Sequence, residues 1–194
     1  MAAARLGIEP QPQAVVTDEA LVERLRSGEA PAGEELVKRH CAALLRYLQK
    51  VAGSGEMAEE LHQQTWASVL EHIDRFDPAS TGGGFKAWLY RIATNKANDL
   101  WRSRGRERTA KEGLKLITDE LGPEASHQME GSEQVQKLRQ AIGQLPESQR
   151  QVLLLRYYSG LKFVDIAATL GCPLNTALGR MHKAMLRLKQ LMQD

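Results

Sequence analysis

Residues 85–111 read FKAWLYRIATNKANDLWRSRGRERTAK, and this stretch decides the fold class. Phe85, Trp88, Leu89, Ile92, Ala93 and Leu100 recur at steps of three and four, the period of a helix that buries one face. Lys86, Tyr90, Arg91, Thr94, Asn95, Asn98 and Arg102 are left for the remaining surface. Arg102, Arg104, Arg106, Arg108 and Lys111 then follow with few acids among them, a composition suited to a phosphate backbone. Gly82, Gly83 and Gly84 stand just before the helix as either a permissive hinge or a wall that lets a flat ligand come close. Aromatic, amide and cationic side chains on one element point to single-stranded or melted DNA. The competing reading is a core helix with a solvated basic end.

Toward the N-terminus the helical period continues. Residues 1–16, rich in Ala, Pro and Gln, show no period and read as a disordered tail. Thr17 or Asp18 caps a helix running through Arg26, with Leu21, Val22 and Leu25 on one face and Gly28 near its end. A second helix, about Ala32 to Ala52, places Leu36, Val37, His40, Leu44, Leu45, Leu48 and Val51 on a stripe, and Gly53-Ser54-Gly55 stops it. A third, Met57 to Arg75, buries Leu61, Thr65, Val69 and Ile73 and leaves Glu59, Glu60, Gln63, Gln64 and Glu71 on or near the other face. No strand-like alternation interrupts the series. Residues 17–111 therefore read as a bundle of about four helices.

Toward the C-terminus, residues 112–134 hold 6 acids, 1 base and several helix breakers, the mark of a flexible linker with room for a short helix over Leu114 to Leu121. Val135 to Ile142 is again helical. Leu145-Pro146-Glu147 opens a helix carrying Val152, Leu153, Leu154, Leu155 and Tyr157, with Pro146 in its first turn and Gly160 at its end. A short helix from Phe163 to Leu170, the turn Gly171-Cys172-Pro173 and a long helix from Leu174 to Met192 complete the chain. Leu174, Leu178, Met181, Met185 and Leu188 make the last helix's apolar stripe, and Ala167, Gly171 and Ala177 are small where two helices must approach. That pattern is a helix-turn-helix. Its second helix offers Asn175, Thr176, Gly179, Arg180, His182 and Lys183 to a DNA groove. The expected fold is all-α: two small helical domains, 17–111 and 135–194, joined by a flexible acidic linker.

The net charge of +2 hides a segregation by segment. Residues 18–80 carry 12 acids and 7 bases, 85–111 carry 2 and 8, and 135–194 carry 3 and 9. Basic blocks suit nucleic acid, whereas the acidic segments suit a protein partner or a solvated linker. Cys41 and Cys172 are too few and too distant for a disulfide framework. No apolar run reaches membrane-spanning length and no secretory signal opens the chain, so a cytoplasmic protein without membrane insertion is expected. His40, His62, His72, His127 and His182 form no compact ligand motif and no phosphate-binding loop follows a strand. Neither a metal nor another cofactor nor catalysis is expected; a free-standing helix-turn-helix regulator remains the rival.

With both halves in view, the chain resembles the extracytoplasmic-function sigma factors, the smallest group of the bacterial sigma-70 family. The first half carries the resemblance in Ala58-Glu59-Glu60-Leu61-His62-Gln63-Gln64-Thr65-Trp66, in Asp74-Arg75-Phe76 and from Phe85 to Asn95. The second carries it in Leu145-Pro146-Glu147, from Val152 to Tyr157, and in Gly160, Ile166-Ala167, Leu170 to Pro173 and Thr176. It implies sigma region 2 at 17–111 and region 4 at 135–194. It further implies that Glu60, Gln63 and Gln64 dock on the beta-prime clamp helices of core RNA polymerase. Asn95 would read a base of the melted minus-10 element, Tyr90 would stack on a base, and Arg91, Arg102 and Arg104 would neutralise phosphates, while Trp88 belongs to the core. The candidates on the last helix would read the minus-35 duplex, Arg180 and Lys183 meeting guanine or phosphate. The linker would cross polymerase channels meant for nucleic acid, and an anti-sigma protein is the implied antagonist. Three departures from the family sit at Gln64, His62 and Trp66. A fourth, Leu178-Gly179 where Lys or Arg followed by Ser is usual, implies an unusual or weak minus-35 contact.

Overall fold

The computed structural model of the protein describes residues 16–112 and 133–193. The expected N-terminal tail up to Val15, the linker with its Leu114–Leu121 helix, and the side chains of Arg104, Arg106, Arg108 and Lys111 lie outside the described residues. The described residues form helices joined by turns, with no strand among them. Helices α1 (Asp18–Arg26), α2 (Ala30–Ala52), α3 (Gly55–Glu71), α4 (Pro78–Thr81) and α5 (Gly84–Glu112) form the first unit. A second unit holds α6 (Glu133–Gly143), α7 (Glu147–Leu154), α8 (Phe163–Thr169) and α9 (Leu174–Gln193). No helix among the described residues is long and apolar enough to cross a membrane.

Local chemistry sets the helix ends. The Thr17 side chain accepts from the Ala20 backbone N–H and caps α1. Gly53 takes a left-handed φ of 82° to close α2, and Ser54 at once caps α3 by accepting from the Met57 N–H. After α3 a 3₁₀ turn over Ile73–Arg75 carries the chain toward the glycine run. Pro146 stands one residue outside α7, at its N-cap with ψ 141°, rather than in the first turn, because its extended backbone delivers the chain from α6. Past α7 a single π turn, Leu155–Ser159, ends on Gly160 at φ 68°.

The first unit's core is aromatic and tight. Phe85 packs at 5.9 Å on Phe76 and 6.1 Å on Trp88, while Tyr47 and Tyr90 meet edge-on at 5.3 Å. All five rings are buried. Each such burial stabilises the fold by roughly 1.5–3 kcal/mol. The α3 stripe of Leu61, Thr65, Val69 and Ile73 is inside as expected, with the Thr65 hydroxyl donating back to the Leu61 carbonyl at 2.6 Å.

Two expectations about faces are corrected here. Tyr90 and Thr94, assigned above to the outer surface of α5, are 0% and 1% exposed. The α2–α5 crossing needs more apolar area than a three-four stripe supplies, so the buried arc widens to take them in. On α9 the buried residues are Ala177, Ala184 and Leu188, with Met181 half-buried, so only Leu188 and in part Met181 of the expected stripe face inward. Leu174, Leu178 and Met185 are turned outward at 41%, 41% and 44% exposure. Close packing of α9 on α7 and α8 demands small residues, which outweighs the transfer of larger ones. Gly171, expected at the helix approach, is instead exposed and makes the turn at φ 60°.

The two units pack on one another. Val152, Leu154, Leu155, Leu161 and Ile166 of the second belong to the same buried cluster as Leu44, Tyr47, Phe85 and Leu89 of the first. A separate small core, Ala141, Leu145, Leu153, Ala184 and Leu188, belongs to the second unit alone.

Candidate nucleic-acid interface

Three surfaces carry the candidate residues, and α5 is the most completely positioned of them. Glu19 on α1 accepts from the Phe85 N–H at 3.2 Å, closing the first turn of α5 from 66 residues away. Below it Asp18 receives His40 at 2.6 Å and Arg39 at 3.2 Å. Arg26 donates to the Ile73 carbonyl at 2.7 Å and to the Phe76 carbonyl, which fixes the turn that leads into the glycines. Gly84 has φ 67°, and a β-carbon there would run into the Glu19 carboxylate. The glycine run is therefore a shaped entry to α5.

Further along α5 the Tyr47 hydroxyl donates to Thr94 Oγ1 at 2.9 Å, and Thr94 in turn donates to the Tyr90 carbonyl at 2.7 Å. Burial pushes the Tyr90 hydroxyl up to about 12, with Arg46 pulling weakly the other way. Burial also raises Tyr47. With its inner face locked, α5 presents Asn95 and Arg102 fully outward and Arg91 half-buried. Arg102 lies 3.5 Å from Asp99, an exposed pair that water screens. Asn98 Oδ1 is taken by Gln151 Nε2 at 2.7 Å. Arg104 lies on the α5 backbone, its side chain outside the described residues.

On α9, Asn175, Thr176, His182 and Lys183 are exposed, while Gly179 and Arg180 are half-buried. A β-carbon at Gly179 would meet nothing within 4 Å, so glycine is not required there by space. On α3, Glu60, Gln63 and Gln64 are exposed together, Gln64 donating to Glu60 at 3.0 Å. Behind them the Trp66 indole N–H donates to His62 Nε2 at 3.2 Å. Burial lowers the His62 pKa and a bond to the Cys41 backbone opposes that, so at neutral pH this histidine is a neutral link between α2 and α3.

Sequence models of known families cover both units. Sigma-70 region 2 matches residues 36–107, and Sigma-70 region 4 matches 135–188.

The chain belongs to the extracytoplasmic-function group of the sigma-70 family.

Its relatives include the RNA polymerase sigma-H factor of Pseudomonas aeruginosa, 30% identical over 91% of this chain and 94% of that protein. The ECF RNA polymerase sigma factor SigE of Mycolicibacterium smegmatis is also 30% identical, over 82% of this chain but only 61% of its own length. Among solved structures, CnrH in complex with the cytosolic domain of CnrY superposes with a TM-score of 0.67 at 27% identity, covering 91% of this chain and 97% of that one. The sigma factor RpoE in complex with the anti-sigma factor NepR, from Bartonella quintana, gives 0.66 at 26%, covering 82% and 96%.

Within this sigma factor the fold gathers Arg91, Asn95 and Arg102 along one helix and keeps Tyr90 out of reach. Tyr90 is the corrected site residue: a fully buried ring offers no face on which a base can stack. The polymerase-facing and minus-35 candidates stand on separate elements, α3 and α9. Two positioned carboxylates, Glu19 accepting from the Phe85 N–H and Asp165 lying against Gly83, were not singled out in the sequence. Neither has a local signal, since their partners lie 66 and 82 residues away.

Proposed function

We propose that this sigma factor directs core RNA polymerase to specific promoters by dividing the work among three helices. The amide-and-carboxylate edge of α3, Glu60 with Gln63 and Gln64, docks on the beta-prime clamp helices. Asn95, donor and acceptor at once, reads a flipped base of the melted minus-10 strand. Arg91, Arg102 and Arg104 neutralise its phosphates and release counterions, so affinity falls with salt. Asn175, Thr176, Gly179, Arg180, His182 and Lys183 line the edge of α9 that enters the major groove at minus-35. An anti-sigma factor is its antagonist, a reading supported by the similar sigma factor RpoE of Bartonella quintana, which is seen in complex with the anti-sigma factor NepR. It works in the cytoplasm and catalyses no reaction of its own.

The observation that carries this is the contrast on α5: an exposed amide at Asn95 on a helix whose opposite face is fixed by five aromatic side chains and a carboxylate cap. A reader of bases needs such preorganisation. A free-standing helix-turn-helix regulator would have no use for it, and the region 2 match disfavours that rival. Run-off transcription with core polymerase on genomic fragments tests the proposal. Promoter-specific starts are expected; none on any template ends it. Arg180→Ala should weaken minus-35 dependence while leaving polymerase capture intact.

A further inference from the structure

Helix α9 spends its small residues on packing and shows its large ones. Ala177 and Ala184 are fully buried, while Leu174 and Leu178 are 41% exposed and Leu186 is 51% exposed. Leu174, Leu178, His182 and Leu186 follow one another at steps of four, so they form a single ridge along the helix, apolar but for the imidazole. The next row round the helix is Asn175, Gly179 and Lys183. A β-carbon at Gly179 would meet nothing within 4 Å, so the fold itself does not ask for glycine there. The glycine leaves a notch beside Leu178, open on the outward side.

What borders the ridge decides which occupant fits it. Residues 135–194 carry 9 bases and 3 acids, and Lys183 stands exposed in the adjoining row, a balance that suits a polyanion. Leu178 is the fifth residue of α9, within the N-terminal part that a recognition helix lays on base edges. In the major groove the apolar group that a base offers is the C5-methyl of thymine. A leucine side chain neither donates nor accepts a hydrogen bond, so it gains nothing from guanine O6 or N7. It meets a methyl by taking apolar surface on both sides out of water. The missing side chain at Gly179 lets the helix sit deep enough for the Leu178 isobutyl group to arrive.

We infer that Leu178 is a specificity-determining residue of the minus-35 contact: it reads a thymine through its methyl group, and Gly179 is the gap that admits the base pair. The inference rests on the promoter reading above and names the base chemistry of that same site. Lys183 supplies attraction to phosphates, which carries no sequence information, and Leu178 supplies discrimination.

The test uses holoenzyme assembled from core polymerase and the full chain, on a promoter that it selects in the run-off experiment. That promoter is synthesised with either thymine or deoxyuridine throughout the minus-35 element; uracil pairs as thymine does but lacks the methyl. Wild type should bind the uracil template with about fourfold lower affinity, the worth of one buried methyl-sized group. Leu178→Ala should lose about as much on the thymine template and nothing further on the uracil one. Leu178→Met, still apolar, should keep the preference for thymine. An equal uracil penalty in wild type and Leu178→Ala means that the DNA's shape is sensed instead of the methyl, and overturns the inference. Indifference of the wild type to uracil, or a minus-35 element without an A·T pair, overturns it as well. So does a Leu178→Ala holoenzyme that captures core polymerase poorly yet keeps the thymine preference, which assigns the ridge to a protein. If wild type gives no promoter-specific start on the thymine template, the promoter reading itself has failed and takes this inference with it.

Discussion

The two helices proposed to meet DNA are held in place by opposite means. Helix α5 is held by large side chains: Phe85, Trp88, Leu89 and Tyr90 fill its inner face and Glu19 closes its first turn. Helix α9 is held by small ones, Ala177 and Ala184 against α7 and α8, and turns Leu174, Leu178, Met185 and Leu186 to solvent. In the proposed reading, α5 presents one amide to one flipped base and needs a fixed register, whereas α9 would take its register from the duplex groove as well. The difference teaches that the outward apolar residues of α9 are surplus to its packing, while Phe85, Trp88, Leu89 and Tyr90 of α5 are all spent on it.

The sharpest way to break this comparison is truncation of an anchor. Phe85→Ala should cost about 3–5 kcal/mol of stability in chemical denaturation, whereas Leu178→Ala should stay within about 0.5 kcal/mol. Equal losses would mean that α9 is as dependent on its large residues as α5. Next in size is Asn95→Ala, expected to remove about 1–3 kcal/mol of minus-10 discrimination, roughly 5- to 150-fold. Heparin-resistant open complexes on matched and mismatched promoters measure this, with polymerase binding unchanged as the control.

A smaller effect sharpens the correction at Tyr90. Its hydroxyl finds no hydrogen-bond partner among the described residues, so Tyr90→Phe should stabilise the protein by about 1 kcal/mol at neutral pH. The folded-state pKa is raised, to about 12 from 10.0, so the folded state favours the neutral phenol. Stability is therefore full below pH 10 and is lost as pH climbs from 10 toward 12. Tyr90→Phe should soften that alkaline loss without abolishing it, because the buried Tyr47 hydroxyl is raised in the same direction. Thermal melts from pH 8 to 11 would expose an error in sign. The mildest prediction concerns α9, where Gly179→Ala should raise stability by about 1 kcal/mol, since a β-carbon there meets open space. Run-off from a minus-35-dependent promoter shows whether the gain in helix order also strengthens recognition; weaker recognition would mean that the glycine serves close approach to DNA.

Legibility in the sequence followed the size of the side chains. The α3 stripe, the cap at Thr17 and the core role of Phe85 and Trp88 all rest on interactions within one turn, or on the transfer of large apolar groups, and both leave a trace in the sequence. The stripe of α9 misled because leucine and methionine outrank alanine in hydrophobicity while the packing wanted alanine. Thr94 misled because its hydroxyl reads as surface until Tyr47 is brought to it from α2, and Tyr90 because its ring packs edge-on against that same Tyr47.

The sequence by itself determined an all-α chain in two units with segregated charge, a helix-turn-helix, a family and the amide at Asn95, because helical period, turn residues and charge are local properties. Only the tertiary structure decided which faces are buried, that Glu19 caps α5, and that Asp165 rests against Gly83. Those depend on residues 66 and 82 positions apart meeting in space, and no pattern along a chain records which of its distant carboxylates will find a helix end.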